Sequence, residues 1–195
     1  MRKTVPFALA LAAVPLLAGT ADAHILGTQG ASFSGGFAHP FSGLDHVLAM
    51  VAVGLWAAQR GGRALWAVPA AFVAMMTLGA FAGAAGFALP LVEIGIAASL
   101  IVLGLLVTAR VELPVALSAA IVGAFAIFHG HAHGAEMPAT AGALLYGLGF
   151  VAATALLHAV GVATGLALRG SLTGRLVRLG GAGIAAAGVL LAAGF

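Results

Sequence analysis

The chain has 195 residues, of which 63% are hydrophobic and only 7% charged, with a mean hydropathy of +1.17. Soluble domains carry about 25% charged residues, so a water-soluble globular fold is excluded and an all-α bundle in a lipid bilayer is expected. Cysteine is absent, which removes disulfides, thiolate metal sites and cysteine nucleophiles.

Residues 1–23 read as a secretory signal. Arg2 and Lys3 form a basic start, Val5 to Ala18 an apolar stretch, and Ala21-Asp22-Ala23 a small-x-small cleavage site. Pro6, Pro15 and the short apolar length weigh against an uncleaved first span. Cleavage would leave His24 as the first residue, whose free amine and imidazole would make a chelating arm, ahead of a Gly/Ser-containing lead-in over 24–38.

Six apolar segments follow, at about 41–58, 64–87, 91–109, 113–132, 140–168 and 176–195. Most reach the ~20 residues that a membrane helix needs. Residues 24–195 are therefore expected to form one domain of six transmembrane helices. Arg60 and Arg63, Arg110, and Arg169, Arg175 and Arg178 all fall in alternate loops, while the other loops carry no Lys or Arg. The pI near 10.7 thus reports topology, with these loops cytoplasmic and both mature termini outside. It does not report nucleic acid, because the basic residues are few and form no patch interleaved with aromatics.

That topology gathers the titratable groups at one end. His39, Asp45 and His46 lie at the start of the first segment, His129, His131, His133 and Glu136 at the end of the fourth, and Glu93 at the start of the third. Glu112 sits beside Arg110 in a cytoplasmic turn, and His158 lies deep in the fifth segment. A helix beginning near Pro40 would place Asp45 and His46 about one and a half turns in, with Met50 on the face of His46. His129, His133 and Glu136 share a face at i, i+4, i+7, and His131 points elsewhere. Gly130 and Gly134 weaken that helix, so its end is expected to unwind.

Ionisable groups at membrane depth are costly and are usually kept for function. Imidazole nitrogen with carboxylate oxygen is a ligand set for a divalent first-row metal, and without thiolates an open site suits transfer better than a closed structural one. Asp45 either ligates directly or orients His46. Bland readings stand beside this. His158 would serve as a hydrogen bond between helices, Glu93 as a helix N-terminal charge, and His131 as an interfacial histidine. Met50, Met75 and Met76 read as packing. The small-residue pairs Gly79/Gly83 and Gly180/Gly183 mark close helix contacts. Three other functions compete with transport. One is a haem electron carrier with axial histidines such as His46 and His129. One is an intramembrane metalloenzyme, although His129-Gly-His-Ala-His133 lacks the Glu of His-Glu-x-x-His. The last is a metal sensor or chaperone. No nucleotide-binding loop is present, and no organic cofactor is expected. A 3+3 arrangement would give inverted halves, but no internal sequence repeat shows it.

At these same residues the chain resembles the HupE/UreJ family. The likeness rests on His39-Pro40-x-x-Gly43-x-Asp45-His46-x-x-x-Met50-x-x-Val53-Gly54 and on Phe128-His129-Gly130-x-Ala132-His133-Gly134-x-Glu136. It covers nearly the whole chain. The resemblance implies a multi-pass protein of a bacterial inner membrane, not an enzyme, that admits Ni²⁺ (or Co²⁺) and works alongside hydrogenase or urease maturation proteins. Carried across, it implies that His39, Asp45, His46, His129, His133 and Glu136 serve the metal path. His24, Glu93, His131 and His158 remain secondary candidates from the reading of the residues themselves.

Overall fold

The structure, a computed structural model, describes residues 32–137, 142–170 and 172–195. The signal region and His24 lie outside these. Every regular element among the described residues is a helix, and none is a strand. A short helix α1 (Phe33–Ala38) leads through a 3-10 turn (His39–Phe41) into α2 (Leu44–Arg60). Then come α3 (Ala64–Ala84), α4 (Val92–Ala109), α5 (Val115–Glu136), α6 (Ala143–Ala167) and α7 (Thr173–Ala192). Five of these are long and apolar enough to cross a membrane. A sixth span forms if the α1 arm and α2, bent by 84° to one another, are taken together.

That bend corrects the expected start of the first span. Pro40 belongs to the 3-10 turn and not to α2. The Ser42 amide donates back to the His39 carbonyl, and Gly43 is extended, so the chain restarts as helix only at Leu44. Asp45 and His46 consequently stand in the first turn of α2. The other expected unwinding does not occur either: α5 stays helical through Gly130 and Gly134 to Glu136. A Cβ at Gly130 would run into the Met76 carbonyl, and one at Gly134 into that of Ala80. The α3 backbone therefore lies directly on α5. Packing of this kind outweighs the ~1 kcal/mol of helix propensity that each glycine gives up.

Successive helices run in opposite directions along the bundle, but the close pairings skip over the next helix in the chain. Three pairs pack backbone to backbone: α3 on α5, α2 on α6, and α4 on α7. Gly79 and Gly83 serve the first pair as expected. Gly180 and Gly183 do not serve the last. Both face open space, and Gly181 and Gly188 make the contact with α4 instead.

Trp56, Phe72, Met50, Met76, Leu100 and Leu103 fill the centre, while Leu78, Phe81, Leu105 and Leu144 stand exposed around the outside. An apolar exterior of this kind suits lipid. The end of the bundle that carries the arginines is tied by side chains to carbonyls. Arg60 Nη2 donates to Leu113 (2.6 Å), Arg169 Nη2 to Ala58 (2.9 Å) and Arg178 Nε to Thr108 (2.8 Å). Glu112 pairs with Arg60 at 3.6 Å, and not with Arg110 as adjacency in sequence implied.

Candidate metal centre

The site forms at the opposite end, where the start of α2, the 3-10 turn, the end of α5 and the start of α6 meet. Gly43 allows the first part of it. A Cβ there would lie 2.7 Å from Asp45 Oδ1 and 3.0 Å from His46 Nδ1. Its absence lets the Asp45 carboxylate close onto the His46 ring, 3.0 Å from Nδ1. With Nδ1–H donating to Asp45, Nε2 of His46 carries the free lone pair. That atom is buried and has no partner among the described residues. This is the carboxylate–histidine arrangement that fixes a ligand's tautomer.

The end of α5 brings the second part. His129 is fully buried, and its Nε2 lies 2.8 Å from Ser99 Oγ on α4. The Ser99 hydroxyl already donates to the Ile96 carbonyl at 2.6 Å. Its oxygen therefore accepts from His129 Nε2–H, leaving Nδ1 of His129 with the free lone pair and no partner. One turn along, His133 is 8% exposed, and neither of its ring nitrogens has a partner among the described residues.

These rings meet. The His46 ring centroid is 4.0 Å from that of His133 and 4.8 Å from that of His129. His39 stands 4.6 Å from His133 on the outer side, and its Nε2 lies 3.7 Å from Glu136 Oε2. His39, His133 and Glu136 each offer one ligand atom, all within 4.8 Å of one another. Glu136 is exposed, His39 partly buried, His133 and His46 buried, and His129 fully buried. The set forms a ladder from the surface into the bundle. Aromatic rings wall it: Phe150 lies 4.4 Å from His133, Tyr146 5.8 Å from His39, and Phe72 5.7 Å from His129.

All six principal candidates thus come together. The secondary ones divide. His131 turns away, as its spacing predicted, and its Nε2 donates to the Phe87 carbonyl at 2.7 Å. Glu93 is exposed in the first turn of α4, and among the described residues no hydrogen bond or ion pair links it to the histidines. His158 is buried apart from the cluster, beyond the Phe72 ring. Ser99, Tyr146, Phe150 and Phe72 escaped the sequence reading. A lone serine or aromatic in an apolar span carries no signal of its own.

Fold and cluster together define a helical membrane protein whose histidines and carboxylates converge near one end of the bundle. The chain belongs to the HupE/UreJ family, whose model, described as "HupE / UreJ protein", matches residues 11–191. It is 47% identical over 188 residues to Protein HupE of Rhizobium leguminosarum bv. viciae, a match covering 95% of each chain. No solved structure matches it.

Proposed function

We propose that this protein is a permease for a divalent transition metal, with Ni²⁺ as its main substrate and Co²⁺ as a second, supplying hydrogenase or urease maturation. The supporting observation is the set of unpartnered ring nitrogens on the buried, neighbouring imidazoles of His46, His129 and His133, beside the outer group His39, His133 and Glu136, whose ligand atoms lie within 4.8 Å of one another. Buried polar atoms without partners are rare in native folds, and a cluster of them calls for a ligand. The donors are nitrogen and carboxylate oxygen, the set suited to such an ion.

In this reading the hydrated ion meets Glu136 and His39 at the surface, with the exposed Glu93 adding negative charge at the same end. It exchanges waters for imidazoles one at a time as it passes His133, His46 and His129. Asp45 acts through His46, holding its ring, and adds negative charge beside the ion that offsets part of the desolvation penalty. The orientation follows from the arginine loops. The cluster faces outward across a bacterial inner membrane, the signal over residues 1–23 is removed, and both mature termini lie outside.

A haem reading fits the geometry poorly. Axial ligands stand on opposite faces of one porphyrin, whereas the His46 and His129 rings touch edge to face with no plane between them. The test is radioactive Ni²⁺ uptake into proteoliposomes, with Co²⁺, Zn²⁺ and Cu²⁺ as competitors, comparing the native chain with His46→Ala. Saturable uptake, competed chiefly by Co²⁺ and lost in the variant, is the expected result. Binding without uptake would make the same residues a sensor or chaperone site.

A further inference from the structure

The helix contacts carry an order that the residue identities conceal. Take α2–α4 and α5–α7 as two units of three helices. Gly130 of α5 lies against the Met76 carbonyl and Ala80 amide of α3, and Gly54 of α2 lies against the His158 carbonyl and Val162 amide of α6. Gly79 of α3 meets the Ile127 carbonyl, and Gly161 of α6 meets the Val51 carbonyl. Gly83 meets the His131 carbonyl, and Gly165 the Leu55 carbonyl. Gly104 of α4 meets the Ala185 amide, and Gly181 of α7 meets the Thr108 amide.

Each of these glycine contacts turns into its counterpart by one constant shift per helix, α2 onto α5, α3 onto α6 and α4 onto α7. The pair α2·α6 maps onto α5·α3, and α4·α7 maps onto itself, which is two-fold symmetry. Three spans separate each helix from its mate, so in an up-and-down chain the mates run in opposite directions. The two units are inverted copies, the plan on which many secondary transporters are built.

Two grooves between α3 and α6 obey the same relation. One, of about 320 Å³, lies toward the histidine cluster and is lined by Met76, Thr77, Ala80 and Val151, with His133 in its wall. The other, of about 650 Å³, opens toward the arginine end and is lined by His158, Ala159, Val162 and Pro69, the counterparts of those four in order. What separates them is thin. Thr154 Oγ1 lies 3.7 Å from Met76 Sδ. The Phe72 ring lies 5.0 Å from His158 on one side and 5.7 Å from His129 on the other. His158 is 2% exposed, and neither ring nitrogen has a hydrogen-bond partner among the described residues. A histidine kept to link two helices would hold one of them by such a bond, so the bland role leaves His158 unexplained.

We infer that His158 is a second coordination station for the cation. It sits at the seam between two inverted three-helix units and receives the ion from the His129–His133 cluster for passage toward the arginine end of the bundle. Met76, its counterpart across the seam, and the Thr154 hydroxyl supply weaker donors on the way. The inference rests on the permease reading and adds to it a place where the ion is held inside the membrane.

The test pairs equilibrium Ni²⁺ binding by detergent-purified protein with radioactive Ni²⁺ uptake into proteoliposomes. It uses the native chain, His158→Gln, His158→Cys and His46→Ala. Glutamine fills the space but is a poor ligand. His158→Gln is expected to keep the His46-dependent binding within about twofold and to lose uptake about tenfold or more. His158→Cys, the only thiol in this chain, is expected to recover uptake and to shift competition from Co²⁺ toward Cd²⁺, because thiolate favours softer ions. A purely packing histidine would not produce that shift. Uptake by His158→Gln equal to the native chain overturns the inference. So does loss of binding together with uptake, which would mean one site and not two. A native chain that takes up no metal sinks the permease reading itself, and this inference with it. That failure is recognised because it appears before any variant is compared.

Discussion

The Asp45–His46 pair makes the sharpest quantitative demand. In Asp45→Asn the side chain keeps its shape and an oxygen able to accept from His46 Nδ1, but loses its charge. With Asp45 Oδ1 3.0 Å from Nδ1, and a metal on the far nitrogen at about 2.1 Å, the ion sits roughly 7 Å from the carboxylate oxygen. A doubly charged ion and a carboxylate at that distance attract by about 1 kcal/mol in water-like surroundings and about 5 kcal/mol at an effective dielectric constant of ~20. The pair is largely buried yet near the mouth, so the loss should fall between these. A weakening of Ni²⁺ binding by about 10–100-fold, or roughly 1.4–2.7 kcal/mol, is expected. Equilibrium dialysis of the purified variant against Ni²⁺ measures it. Two controls should leave affinity unchanged: Glu112→Gln, an exposed acid at the other end of the bundle, and His131→Ala, whose ring is held by the Phe87 carbonyl. A dissociation constant for Asp45→Asn within about twofold of the native value would refute the assignment of Asp45 as the residue that orients and charges His46.

Ser99→Ala removes the oxygen that holds His129 Nε2–H and frees its ring to turn. A stability loss of about 1–3 kcal/mol from the orphaned donor, together with several-fold weaker Ni²⁺ binding, is expected in thermal unfolding and dialysis. Gly130→Val puts a branched side chain where the α3 backbone lies. Forcing α3 and α5 apart should cost about 1–3 kcal/mol and lower the yield of folded protein in size-exclusion chromatography. Metal uptake should fall as the outer pH is lowered, since protonated imidazole cannot ligate; burial disfavours the charged ring, so the fall is expected below pH ~6.5, and uptake unchanged all the way from pH ~7 to ~4 would count against capture by histidine.

Much of this molecule can be read from its sequence, for identifiable reasons. Helix positions follow from apolar run length, so α3 to α7 lie within a few residues of their expected places. The gathering of His39, Asp45, His46, His129, His133 and Glu136 follows from counting spans between them. Local conformation was harder. Pro40 allows both a helix start and a 3-10 turn, and only the Ser42–His39 backbone bond and the extended Gly43 decide between them. Gly130 and Gly134 look like helix breakers until α3 is seen lying on them. Ser99 matters only because α4 places it beside His129. The inverted repeat hides because contact geometry, and not residue identity, is preserved: Met76 stands where its mate is His158, and Leu55 where its mate is His131.

The backbone contacts have a mechanical consequence. Helices joined at glycine, with no side chains between them, move as one piece, so α2 with α6 and α3 with α5 behave as two stiff beams. His46 and Asp45 belong to the first beam, and His129, His133 and Glu136 to the second. An ion held between them acts as a rivet. While it is bound the beams are locked at the outer end, and spin labels at exposed sites on α3 and α6 should report a narrower distance distribution with Ni²⁺ than without. In the proposed permease, an ion that steps inward past Phe72 removes the rivet and frees the beams to part.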